Sequence, residues 1–192
     1  MIRIGIIGDF LKTAGIISSI FEKNSFSVKI INYKHFFSTM QSNIDFLIIG
    51  ISSPYTSSDY INKLQLDILI INDSSQITNL TNPPFLSNKL SIVLLNCDKS
   101  EEIELKTKIP FYVITFGFNS NATITISSRI SGINDTLQIC IQRDLTTLQN
   151  TKILEQDFSI TVNSKNIDVI LSAISTAILS GISIDELKNT II

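Results

Sequence analysis

The run Ile2-Arg3-Ile4-Gly5-Ile6-Ile7-Gly8-Asp9-Phe10-Leu11-Lys12-Thr13 constrains the chain more than any other stretch. Four isoleucines in the six positions from Ile2 to Ile7 read as a buried β-strand, Gly8 as a turn, and Lys12-Thr13 as the opening of a helix continued by the periodic apolar residues from Ala14 to Phe21. A strand, a glycine turn and a Lys-Thr helix start form the layout of a phosphate-binding loop, in which backbone N–H groups and a helix N-terminus meet an anion. Two residues depart from that chemistry. Such a loop requires glycine immediately before the lysine, where a Cβ would intrude on the phosphate, and that position is Leu11. Asp9 places a carboxylate where phosphate oxygens would sit. The vestigial nucleotide-binding set is therefore Gly8, Lys12 and Thr13, and no catalytic residue is assigned.

The alternation continues downstream. Ser27 to Asn32, Asp45 to Ser52, Leu66 to Asn72, Leu90 to Asn96 and Phe111 to Phe116 are Val/Ile/Leu-rich runs of strand length, several of them unbroken, as strands covered on both faces are. Helices are expected over 12–23 and near 36–42, 57–64 and 84–87. This order predicts an α/β fold with a doubly wound, mostly parallel sheet over 1–117. After Gly117 the pattern changes to apolar-polar alternation in Ala122 to Ser127, Leu137 to Gln142 and Phe158 to Val162, which predicts a small, separate antiparallel β appendage over 118–162. Residues 163–192 close the single domain with helices. One is carried by Ile167, Ile170, Leu171, Ile174 and Ile178 and stopped at Gly181, and a short one is opened by the capping box Ser183-Ile184-Asp185-Glu186.

Composition removes several function classes. With 15 basic against 17 acidic residues there is no positive footprint for nucleic acid or anionic lipid. No apolar run approaches the ~18 residues of a membrane span, and the N-terminus lacks a basic, apolar leader, so a cytoplasmic protein is expected. Cys97 and Cys140 are widely spaced and suggest neither a disulfide framework nor a zinc site. His35 has no partner acid nearby in sequence and reads as a surface or packing residue.

The chain resembles the central, ATP-binding domain of the Mur ligases, with the folylpolyglutamate and cyanophycin synthetases behind it. Members open with a strand running into Thr-Gly-Thr-Asn-Gly-Lys-Thr-Thr, and Gly8 to Ala14 is similar to a worn copy that keeps Lys12 and Thr13. The family's strand ending in Glu-x-Ser-Ser is matched by Ile48-Ile49-Gly50-Ile51-Ser52-Ser53. Its Thr-Asn strand end followed by Asp-His is matched by Leu69 to Ile77, and its Asn-x-Asp-Asp strand end by Asn96-Cys97-Asp98. Phe116-Gly117-Phe118 resembles Tyr-Gly-Phe, and Asn166 to Gly181 resembles the asparagine-led helix ending in Leu-Gly-Ile.

The resemblance implies ATP and Mg²⁺ as cofactors, yet the departures fall on their ligands. The strand-end glutamate that holds Mg²⁺ in the family is Gly50, which leaves room rather than charge, and the Asp-His pair is Gln76-Ile77. A carbamylated lysine follows that pair in the family, and Lys89 does not align with it. Asp9, Ser52, Asp73 and Asp98, all at the carboxyl ends of predicted strands, form the candidate set for a remodelled metal site. The family also places its reaction between this domain and flanking domains, which the sequence does not contain. The expectation is a non-catalytic Mur-ligase-like protein that binds a protein partner, or a nucleotide weakly. The alternatives are a ligase subunit completed by a second polypeptide, or a structural protein that self-associates.

Overall fold

The computed structural model describes residues 1–32, 43–52, 64–76, 91–99, 111–163 and 165–192. In chain order its elements are β1 (Ile2–Ile7), α1 (Phe10–Lys23), β2 (Val28–Asn32), β3 (Phe46–Ile51), β4 (Ile68–Ile71), a 3₁₀ turn (Ser74–Gln76), β5 (Ser91–Asn96), β6 (Phe111–Phe116), β7 (Ile124–Ile130), β8 (Asp135–Ile141), β9 (Leu145–Thr146), β10 (Lys152–Ile153), β11 (Gln156–Val162), α2 (Ile167–Leu179) and α3 (Ile184–Lys188). The helices expected near 36–42, 57–64 and 84–87, together with His35 and Lys89, fall wholly or almost wholly outside the described residues.

Nine strands form one sheet in the order β11-β8-β7-β6-β5-β4-β1-β3-β2. β1 is interior, paired in parallel with β3 on one side (Ile6 opposite Gly50) and with β4 on the other (Ile6 opposite Ile70). Chain order turns back at β1, so its carboxyl end lies at a topological switch point, where open α/β sheets bind ligands. The antiparallel strands are where alternation places them, but they are not a separate layer. Backbone pairing of Phe116 with Ile124 joins β7 to β6, and β8 and β11 extend the same sheet. A hydrogen-bonding edge at the end of β6 is satisfied more readily by continuing the ladder than by starting another layer. The detached piece is the two-stranded β9–β10 ribbon, too short for periodicity to reveal.

The period of two along β1 divides the core. Ile4 and Ile6 face one side with Ile48, Ile70 and Leu94, under α1 and α2; Phe21 of α1 stacks on Phe46 with ring centroids 3.8 Å apart. Ile7 faces the other side with Ile49, Leu66, Leu69 and Ile71. Each fully buried Ile or Leu contributes roughly 1.5–3 kcal/mol, so the clusters on both faces stabilise the sheet. α2 is buried from Val169 to Leu179 and stops at Gly181, whose φ of +101° suits only glycine without strain. The predicted capping box is present: the Ser183 hydroxyl accepts from the Glu186 N–H, and the Glu186 carboxylate accepts from the Ser183 N–H at 2.8 Å. The Ser183 hydroxyl also donates to the Glu186 carboxylate, and that bond, with the one from the Ser183 N–H, holds the Glu186 carboxyl below its ordinary pKa. Among the described residues no helix is long and apolar enough to cross a membrane.

One local defect in this frame is measurable. Gly15 lies inside α1 with open space where a Cβ would project. Gly15→Ala is expected to raise stability by about 0.5–1 kcal/mol, read from urea midpoints at unchanged slope.

Candidate functional site

The site lies at the carboxyl ends of β1, β3, β4 and β5, with the described residues that follow each of them. After Ile7 the backbone takes two left-handed residues, Gly8 at φ +80° and Asp9 at φ +45°, and α1 begins at once with Phe10. A non-glycine residue in that conformation costs about 1–2 kcal/mol, which Asp tolerates better than most. Gly8 is required for a second reason, since a Cβ there would stand 3.1 Å from both the Cβ and the N of Asp73. Only two residues separate strand from helix. Leu11 and Lys12 therefore lie in the first helical turn, with Leu11 78% exposed.

Asn72, at the end of β4, locks this junction. Its side-chain amide donates to the Gly8 carbonyl at 3.0 Å and to the Thr13 hydroxyl at 2.9 Å, while its backbone N–H donates to the Ile7 carbonyl. Asn72 is 6% exposed and Thr13 fully buried, so the hydroxyl kept from the phosphate-loop pattern points into the protein. Lys12 is exposed at the positive end of the α1 dipole, where an anion rather than a cation is favoured.

Gly50 does not leave empty room, as the sequence suggested. A Cβ built on it would lie 2.5, 2.6 and 2.7 Å from Cδ1, Cε1 and Cγ of Phe10, so the phenyl ring rests on the glycine backbone. The first residue of α1 thus fills the space above the carboxyl end of β3.

The strand-end carboxylates bond within the chain. Asp73 accepts from the N–H and hydroxyl of Ser75 at 2.9 and 2.6 Å, opening the 3₁₀ turn that contains Gln76. Asp98 accepts from the N–H groups of Phe118 and Asn119 at 2.5 and 3.0 Å, fixing the turn after β6. Gly117 permits this approach, because a Cβ there would meet Asp98 Oδ2 at 2.5 Å. Lys99 pairs with Asp168 of α2 at 2.5 Å. That hydrogen bond, against some burial, pushes the Lys99 ammonium above its ordinary pKa, with Asp9 and Asp73 adding to the pull. Ser52 is exposed just past β3. Gly8, Lys12 and Thr13 lie together at the β1–α1 junction, with Asp73 against Gly8. Among the described residues no group of three or more His, Cys, Asp or Glu side chains is placed to hold a metal ion.

Sequence reading missed Phe10, Asn72, Lys99 and Asp168 as parts of this region. Asn72 was within reach, being the strand-end asparagine of a quoted motif; the others carry no local signal. Asn72→Ala is expected to cost about 2–3 kcal/mol in urea unfolding, because it strands the buried Gly8 carbonyl and Thr13 hydroxyl. Lys99→Met is expected to cost less than about 1 kcal/mol at pH 7, the pair being partly exposed. Because the folded pKa of Lys99 is raised, its contribution is complete at neutral pH and is lost as pH climbs through that value. The variant should therefore differ from the parent below pH 10 and converge with it at more alkaline pH, in a series of urea midpoints.

No family model matches the sequence, and no curated protein matches it. Solved structures do match the fold. A MurF from Acinetobacter baumannii superposes with a TM-score of 0.64 at 9% identity, over 98% of this chain and 44% of that one. A MurF ligase from Thermotoga maritima in complex with ADP gives 0.60 at 11% identity, over 98% and 48%. A bifunctional folylpolyglutamate synthase/dihydrofolate synthase with Mn, AMPPNP and L-glutamate bound gives 0.58 at 9% identity, over 97% and 56%. The chain spans about half the length of these proteins, and it has the fold that Mur ligases and folylpolyglutamate synthase share.

Proposed function

We propose that this protein is a non-catalytic, Mur-ligase-like binding module, whose ligand is another protein or at most a weakly held nucleotide. The junction between β1 and α1 carries this reading. It keeps Lys12 and Thr13 in sequence, yet helix runs from Phe10, Leu11 stands where the chain would have to approach a phosphate, and the Thr13 hydroxyl is buried against Asn72. Two proteins of like fold were solved with nucleotides, so the fold itself accommodates one. The residues present here do not fit a magnesium-bound triphosphate. Asp9 opposes its charge, and no carboxylate stands at Gly50 to take the metal that neutralises the transferring phosphoryl group.

Departures concentrated at ligand positions, with the sheet and its core intact, favour a retained binding role over a ligase subunit. A partner protein, or a second copy, is the occupant this reading expects.

Calorimetry with Mg²⁺ and ATP is expected to show weak or absent binding to the unmodified protein, and stronger binding to Asp9→Thr combined with Leu11→Gly. Tight, Mg²⁺-dependent binding to the unmodified protein would overturn the proposal. So would substrate-dependent phosphate release that Lys12→Ala abolishes; the ligands would then be sought among Asp9, Ser52, Asp73 and Asp98.

A further inference from the structure

We infer that Phe10 is an internal filler of the nucleotide cleft, matched to Gly50, so that the end of β3 serves as a packing contact where a relative of this fold would face ligand. The inference deepens the proposed function and rests on the same alignment of Gly50 with the family's metal-ligand position.

Gly50 needs an explanation of its own. It is the only glycine in β3, in a strand buried along its whole length, paired with Ile6 on one side and with Asn32 of β2 on the other. Glycine inside such a strand weakens it by entropy and by lost packing, and it marks a place where another group approaches closely. The group here is an aromatic ring. By the period of two, position 50 shares a face with Ile48, and Ile48 belongs to the cluster against which Phe10 packs. Three ring carbons lie within 2.7 Å of a Cβ built at position 50, including the Cγ at the root of the ring. Turning the ring about its Cβ–Cγ bond leaves Cγ where it is, so a side chain at 50 has to displace the ring as a whole.

Phe10 is placed by the turn that precedes it. Two consecutive left-handed residues start α1 immediately after β1, and that start brings the first helical side chain back over the neighbouring strand. The lost carboxylate and the gained ring are therefore one structural change. Charge at this edge is handled within the chain in the same way, Lys99 standing beside Asp168 with Asp9 and Asp73 near enough to act on it.

A double-mutant cycle on the full chain tests the pairing, using Gly50→Ala, Phe10→Ala and the two together, followed by thermal melting and near-ultraviolet circular dichroism. Gly50→Ala is expected to lower Tm by about 5 °C or more, and by less than half as much when Phe10 is already Ala. If Gly50→Ala alone does not fold, recovery of a cooperative melt in the double variant supports the pairing and its absence overturns it. An unchanged Tm for Gly50→Ala, or equal losses in both backgrounds, also overturns it. The two proposals fail separately. Absent nucleotide binding with an additive cycle removes the filler and leaves the non-catalytic reading; tight Mg²⁺-dependent ATP binding with a coupled cycle does the reverse.

Discussion

β1 is hydrogen-bonded on both edges and buried on both faces, and that arrangement governs what the rest of the chain can do. Its amides and carbonyls are committed to β3 and β4, and its side chains to two separate apolar clusters. Nothing along such a strand is available for chemistry, so any function has to be built at its end, from the turn to α1 and the turns that neighbour it. The direction of the strand aims that turn at the switch point of the sheet, and Asn72, from the adjacent strand, holds it there through the Gly8 carbonyl and the Thr13 hydroxyl. Through this side chain the buried sheet is tied to the candidate site.

The same burial explains which parts of the molecule were legible in the sequence. Strands covered on both faces are unbroken Ile/Leu/Val runs, and β6 was read to the residue from Phe111 to Phe116. The capping box at Ser183 was legible because both of its partners are three residues apart. α1 was expected from Lys12 but starts at Phe10, since the motif marks the lysine and the left-handed backbone of Asp9 sets the true start. The antiparallel strands were recognised by alternation, but alternation says nothing about which strand lies beside them. They join β6 through the ladder pair Phe116 with Ile124 and the bond from the Thr123 N–H to the Thr115 hydroxyl.

At the site, residue types were legible and their use was not. Gly8, Lys12 and Thr13 lie together at the β1–α1 junction, but a motif does not report that the Thr13 hydroxyl faces inward to Asn72. Asn72 meets Thr13 across a separation of 59 residues, and contacts at such range leave no periodicity in the sequence. Gly50 is the clearest case: as a letter it signals absence, of charge and of side chain, while in the fold it is the floor under Phe10.

Within the proposed reading, a site of this fold that holds no ligand has a physical problem to meet, because unpartnered polar groups and unfilled volume both cost stability. At this edge the solvent-facing charges find partners within the chain, and the volume beside β3 is filled from within it as well. Asp98 is bonded by two backbone amides, Asp73 by Ser75, and Lys99 by Asp168, while the volume beside β3 holds a phenyl ring. Beside the exposed Asp9 and Lys12, the mouth presents Leu11 on the first turn of α1, an apolar side chain exposed over 78% of its surface. A phosphate gains nothing from such a side chain, whereas an apolar surface of another polypeptide gains from covering it. Within the proposed reading, the same substitution that closes the loop to nucleotide thus presents the edge of the sheet to protein.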